Sequence, residues 1–279
     1  PNIINLFKVR ASYGIVGNDD GLPYFYYLPS FKLNSSSRYN FGTTATNVPG
    51  WVENGLFNEF VTYEKSNKFN VGVDAKLFKH LNITADYFRE HNTQILVQRS
   101  SISTMLGFGT TGNPKSNSGI TTNRGYEIDL SVDGGKRDFY YQVGIQFTNV
   151  HNEIDFNDEQ DFEFNYRKSK GNSINRPTGY VANGLYKDEQ DLLNSPVTSF
   201  GNSYPGDIKY RDLNGDGKVD INDVSYIGKN NLPELYGAFY FTFLWKGFDL
   251  RGTLTFVGER SYNAHNVSTI AFYNVAGTG

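Results

Sequence analysis

The 279-residue chain is 38% hydrophobic, which allows one large all-β domain or two ordinary ones. Its net charge of −3 argues against a nucleic-acid binder held by a basic surface, so no nucleic-acid partner is expected. There is no cysteine, which excludes disulfides, thiolate metal sites and cysteine nucleophiles, while 29 glycines, one methionine and a 16% aromatic share favour strands and turns over helices.

Taken in chain order, the first predicted strand covers residues 4–13, where "LFKVRASY" sets Phe7, Val9, Ala11 and Tyr13 against Lys8, Arg10 and Ser12. A polar excursion, 14–66, follows. The next strand, 67–77, alternates Phe69, Val71, Val73, Ala75 and Leu77 with Asn70, Gly72, Asp74 and Lys76. Only "FKH" (78–80) separates it from a strand at 81–90, where Leu81, Ile83, Ala85 and Tyr87 oppose Asn82, Thr84 and Asp86. After a second excursion, 91–121, the strand at 122–133 sets Tyr126, Ile128, Leu130 and Val132 against Glu127, Asp129, Ser131 and Asp133. The turn "GGKRD" (134–138) leads to the strand at 139–150, with Phe139, Tyr141, Val143, Ile145 and Phe147 on one face.

The longest excursion, 151–234, holds a short helix expected around Asp188–Leu193 and the stretch "DLNGDGKVDIND", Asp212 to Asp223. Asp212, Asn214, Asp216, Asp220 and Asp223 occupy positions 1, 3, 5, 9 and 12 of a calcium-type loop, Gly217 takes the turn, and Lys218 would offer its carbonyl. Hard oxygen donors on a tight turn suit calcium in a structural role; a metal-free acidic turn held by Asx hydrogen bonds explains the same spacing. Metal would order an excursion expected to have little core of its own. A dockerin-like module is the rival, but it needs a second copy and flanking helices, and "VSYIG" after Asp223 reads as extended or irregular. The chain resumes with strands at 235–245, apolar on nearly both faces, and 248–257, joined by "KG".

Short and long connections thus alternate strictly. A transmembrane β-barrel, with tight periplasmic turns and long extracellular loops, has this pattern, and strands of nine to eleven residues suffice to cross a bilayer at a tilt. Phe and Tyr near the strand ends would form the girdles, and the polar faces would line the lumen. A soluble sandwich explains the alternation but not the one-sided loops, and a propeller would need a fixed repeat that is not visible. No segment approaches the roughly 18 to 20 apolar residues of a membrane helix.

The run "GDIKYRDLNGDGKVDINDVSYIG" followed by "NNLPELYGAFYFTFLWKGFDLRGTLTFVG", together with "FKVRASYGIVGN", "YEKSNKFNVGVDAKLF" and "NRGYEIDL", resembles the SusC/RagA family of TonB-dependent outer-membrane transporters of Bacteroidetes. The resemblance implies an all-β fold, the C-terminal part of a large antiparallel transmembrane β-barrel of about 22 strands. A plug and TonB box would precede residue 1 and a terminal strand would follow residue 279. It further implies TonB-dependent import of an oligomeric nutrient, a glycan or a peptide, across the bacterial outer membrane. A SusD-like surface lipoprotein would cap the mouth, TonB-ExbBD would supply energy, and outer-membrane lipid would surround the strands.

Enzyme chemistry finds no support. His80, His91, His151 and His265 are scattered, without an HExxH or nucleophile-elbow context, and "GFGTTGNP" (Gly107 to Pro114) lacks the Lys-Ser/Thr of a phosphate-binding loop. For ligand contact the aromatics of the excursions, "LPYFYYLP" (Leu22 to Pro29) and Trp51, are the candidates, with packing inside the loop as the equal alternative. The rival from another class is a secreted, calcium-stabilised β-rich adhesin or glycan-binding module.

Overall fold

The computed structural model of the chain describes residues 3–41, 46–103, 105 and 113–262; most of the Gly/Thr-rich run after Gly107, His265 and the segment 271–279 lie outside the described residues. The strands are β1 (Ile4–Asn18), β2 (Phe31–Phe41), β3 (Thr46–Glu53), β4 (Glu64–Leu77), β5 (Leu81–Gln98), β6 (Lys115–Lys136) and β7 (Phe139–Phe156). Short strands β8 (Thr178–Gly179), β9 (Ala182–Leu185), β10 (Val197–Thr198), β11 (Ile208–Tyr210), β12 (Lys218–Val219) and β13 (Ser225–Tyr226) fall in the longest excursion, with helix α1 (Glu189–Leu193). The chain then forms β14 (Leu235–Trp245) and β15 (Phe248–Val257).

Seven strands make one antiparallel sheet in the order β1-β4-β5-β6-β7-β14-β15, so each long strand pairs with its neighbours in sequence once the excursions are set aside. Its register converts period-two patterning into two chemically distinct faces. One rung, Phe7–Ala75–Ile83–Leu130–Ile145–Phe239–Leu254, crosses all seven strands with apolar side chains. The adjacent rung, Lys8–Asp74–Thr84–Asp129–Gln146–Ala238–Thr255, points the other way and is polar but for one alanine. A slip of one residue in β1, β4, β5, β6 or β15 would put charge on the apolar side, which pins the register.

Among the described residues nothing covers the apolar face: Phe7, Val9, Leu250 and Leu254 all stand at least 60% exposed. Among the described residues the buried hydrophobic side chains are Tyr186, Val219 and Ala238, too few for the core of a water-soluble sandwich of this size. A contiguous exposed apolar sheet face marks a membrane or protein partner, and lipid against a barrel wall satisfies it on every strand at once. Among the described residues no helix is long and apolar enough to cross a membrane. Among the described residues closure is not seen: β1 and β15 are the two sheet edges.

Tight turns join the strands at one end of the sheet. Lys136 faces Phe139 across Arg137-Asp138, and Trp245 faces Phe248 across Lys246-Gly247. Lys246 and Gly247 both have positive φ, +44° and +86°, the mirror-image turn whose twist matches that of the strands it joins. Phe78 and Lys79 also have positive φ, so the β4–β5 turn accepts the left-handed region without glycine.

At the other end the strands run well past their apolar stretches. β5 continues to Gln98, β6 starts at Lys115 and β7 reaches Phe156, where the alternation predicts ends near 90, 122 and 150. Polar side chains tie these extensions together: Asn117 Nδ2 donates to Thr62 O (2.7 Å) and Gln94 O (2.9 Å), and Ser66 Oγ bonds Glu90 Oε1 (2.6 Å). Outside a membrane a strand is free of the apolar alternation and is held by such polar pairs, which periodicity does not register. The first excursion likewise contains a hairpin, β2–β3.

Candidate functional site

The acidic stretch lies inside a small module spanning the third excursion. Three two-stranded pairings organise it: β8 with β13, β9 with β11, and β10 with β12, the last of them parallel. Its centre is Val219 and Asp223, both 0% exposed, with Tyr186 close to that at 3%. The expectation of an excursion with little core is therefore corrected: the module buries residues more deeply than the main sheet does.

Local hydrogen bonding explains the path of the loop. Asp212 Oδ1 accepts from Gly215 N (2.6 Å) and its Oδ2 from Gly217 N (2.8 Å). Asn214 Oδ1 accepts from Asp216 N (3.0 Å), and Asp216 Oδ1 from Lys218 N (2.8 Å), so successive Asx turns wind the chain. Gly215 and Gly217 have φ of +78° and +83°, which a side chain with a Cβ disfavours. Asp220 caps the following 3-10 turn at 221–223 by accepting from Asn222 N (2.7 Å), and Asp223 completes a capping box by accepting from Asp220 N (2.8 Å). Asp223 also accepts from Leu213 N (2.7 Å), so one buried carboxylate joins both ends of the loop.

The structure thus gathers Asp212, Asn214, Asp216, Lys218, Asp220 and Asp223 into one closed loop. Their oxygens are turned to the backbone more than to a common centre, and among the described residues no group of three or more acidic or imidazole side chains is drawn together as for a metal ion. Asn214 Nδ2 donates to Asp216 Oδ2 (3.1 Å), so an amide proton occupies a position that a cation would contest. The donors nonetheless agree in kind with a hard cation, because a carboxylate oxygen with one N–H bond keeps a lone pair free.

The loop is fastened to the rest of the module by the turn at 165–167. Tyr166 Oη donates to Asn222 O (2.8 Å), and Arg167 Nη1 donates to Asn222 Oδ1 (2.9 Å) while its guanidinium lies over the Phe162 ring. Burial first, and then the charge of Asp223, holds the Tyr166 phenol above its usual range. Beside the loop, Tyr180, Phe200 and Tyr210 form a three-ring cluster with centroids 4.6–5.7 Å apart, lining a groove shared with Thr198, Ser203 and Asp207. Burial, then Asp220, raises the Tyr180 phenol as well. Sequence reading missed this cluster because its rings come from three separate segments and no local period joins them.

The aromatics expected to meet ligand fare differently. Tyr26 is a structural residue: its Oη accepts from Lys115 N (2.7 Å) and donates to Leu56 O (3.4 Å). Tyr24, Phe25 and Trp51 remain exposed and converge on no groove with the Tyr180 cluster. The described histidines are dispersed: His80 lies by Asp133 O, His91 by Thr122, and His151 by Glu234.

No family model matches the chain. In sequence it is similar to the TonB-dependent receptor P39 of Formosa agariphila, 28% identical over 88% of this chain and 26% of the relative. The TonB-dependent receptor SusC of Bacteroides thetaiotaomicron is also 28% identical, over 98% of this chain and 28% of its own. The chain therefore spans about a quarter of the length of the curated relatives it matches. Among solved structures, that of the RagAB peptide importer in its open-open state superposes with a TM-score of 0.67 at 17% identity, over 93% of this chain and 27% of that one. The likeness to RagAB establishes the fold as that of part of a large barrel wall.

Proposed function

We propose that this chain, a relative of the SusC-type TonB-dependent receptors and an outer-membrane protein, is the C-terminal portion of a barrel that imports an oligomeric nutrient, a glycan or a peptide. It is a transport protein and not an enzyme. A SusD-like surface lipoprotein caps the extracellular mouth, and TonB-ExbBD drives uptake through parts of the protein that precede this segment. The observation that carries this reading is the seven-strand sheet with one open apolar face and one polar face, joined by tight turns at one end and long excursions at the other. The experiment is uptake of labelled glycans and peptides by cells with and without the full-length gene. Uptake lost on deletion and on collapse of the proton-motive force supports it. A full-length protein that is monodisperse without detergent, or uptake indifferent to deletion, overturns it.

Calcium in the loop Asp212–Asp223 belongs to the same reading, in a structural role, supported by the oxygen donor set alone. Asp212, Asp216, Asp220 and Asp223 would hold the ion with Asn214, once its amide turns its oxygen inward, and the Lys218 carbonyl, and Asp223 would also tie the loop closed. Calorimetric titration of calcium into the chelator-stripped full-length protein tests it. Binding with chelator-sensitive protection of the loop from proteolysis supports the site, and no heat with unchanged protection removes it.

A further inference from the structure

On the apolar face, the chemistry of β5 and β6 changes abruptly on the side of the long excursions. β5 presents Leu81, Ile83, Ala85 and Tyr87 on this face, and the next residue on it is Arg89. β6, read from Val132 back through Leu130 and Ile128 to Tyr126, arrives next at Arg124. The register sets Tyr87 opposite Tyr126 and Arg89 opposite Arg124. Both strands therefore pass from an aromatic pair to an arginine pair within one rung. Aromatic belts mark the level where a bilayer's apolar core gives way to headgroups, so the arginines stand at headgroup level, facing out of the barrel.

Two like charges directly opposite in a sheet, with Cβ atoms roughly 5 Å apart, repel each other unless a counter-charge is supplied. This chain supplies little. Arg124 reaches Glu153 Oε2 only at 4.0 Å, and Arg89 has no ion pair or side-chain hydrogen bond among the described residues. The nearby acids are otherwise engaged: Glu234 with His151 (2.9 Å), and Asp155 with Thr122 (2.6 Å). The rung continues as Tyr13–Phe69–Arg89–Arg124–His151, so Phe69 is the neighbour of the arginine pair on one side and His151 on the other. Guanidinium forks match phosphate oxygens in planar, bidentate geometry.

We infer that Arg89 and Arg124 form a binding site for the phosphate of an anionic membrane lipid headgroup, whose acyl chains lie over Tyr87, Tyr126 and the apolar rungs beyond them. The site rests on the lipid-facing assignment of this face but not on import, plug or substrate.

The test uses full-length protein reconstituted in nanodiscs of phosphatidylcholine doped with phosphatidic acid, with mass spectrometry of the lipid retained after detergent extraction. Wild-type protein retains phosphatidic acid over phosphatidylcholine. Removing the charges, as in R89Q and R124Q, lowers that preference about fivefold for each arginine, R89K/R124K restores part of it, and K79Q at the opposite rim leaves it unchanged. Equal retention by R89Q/R124Q and wild type overturns the site, as does displacement of the lipid by inorganic phosphate at millimolar concentration, which would mark a site for free phosphate. Should a variant not insert, the wild-type preference alone decides, since its absence overturns the proposal. Barrel insertion without headgroup preference defeats only this inference, whereas a protein that needs no detergent defeats the membrane reading itself.

Discussion

Asp223 shows how much one side chain can hold. Its carboxylate is fully buried and accepts from the backbone N–H groups of Leu213, Asn214 and Asp220, which sit on both sides of the loop. Replacing it by Ala orphans these donors, and each buried unsatisfied group costs about 1–3 kcal/mol. We therefore expect D223A to unravel residues 212–224 while leaving the main sheet intact, seen as faster hydrogen exchange confined to this module; uniform exchange would show that the loop is held elsewhere. Asp191 makes a pH-dependent contact in the same module. Its hydrogen bond from Lys209 Nζ (2.7 Å) is the main cause that holds its carboxyl below the ordinary 3.8, ahead of the backbone N–H of Lys187. A depressed carboxyl contributes stability fully present above the ordinary value and lost as pH falls through the depressed one. The anchoring of α1 to β11 is thus expected to be constant at neutral pH and to fail only in acid below the ordinary carboxyl range. In K209M the contact is absent at every pH, so proteolysis near Leu193 is expected to be faster already at neutral pH and to change less across an acid titration than in the parent protein.

Strands were legible from sequence where lipid or lumen imposes alternation, and not where it stops imposing it. From Leu81 to Tyr87 every second side chain is apolar, so the face of β5 can be read directly; from His91 to Gln98 the register shifts on both sides of Ile95, Gln94 has φ +59°, and the consecutive Ile95, Leu96 and Val97 break the alternation. The same holds for the acidic loop. Its Asx and glycine spacing names the turns, but the partners that bury Asp223 and the rings that join Tyr180 to Phe200 and Tyr210 come from distant segments. Glycine on the polar face carries a further element-scale consequence. Gly144 of β7 lies under the ring of Tyr240 of β14, whose hydroxyl donates to Asp129 (3.1 Å) across the intervening strand. A side chain there must push the ring aside, because strand backbone cannot retreat. G144V is expected to destabilise the β6-β7-β14 segment by about 1–3 kcal/mol, measured by the urea midpoint of the folded barrel in vesicles. Y240F, which keeps the ring and loses only the hydroxyl, should cost less than G144V; the reverse order would place the stabilisation in the hydrogen bond.

At the scale of the molecule, two adjacent rungs of one sheet make opposite demands on the same substitution. Leu130 stands in the apolar rung between Ile83 and Ile145, and Gln146 stands in the polar rung between Asp129 and Ala238. They lie on neighbouring strands, in the same sheet and at nearly the same height. A helical or globular protein would bury one of them and expose the other to water. Here Leu130 is 36% exposed on an open apolar face, the kind of face that hydrocarbon would satisfy and water would not. Arginine at Leu130 would place a charge in lipid, at a cost of about 2–4 kcal/mol if the rung lies near the midplane. Arginine at Gln146 meets Asp129 across the strand pair and a hydrated lumen, at little cost. Folding of the full-length barrel into vesicles, followed by its heat-modifiable mobility on gels, separates the two: L130R lowers the folded fraction and Q146R leaves it near wild type. Equal tolerance of both would mean that the apolar face is not against lipid, and equal failure would mean that the polar face is not against water. Only a wall with hydrocarbon on one side and a wet interior on the other predicts the asymmetry.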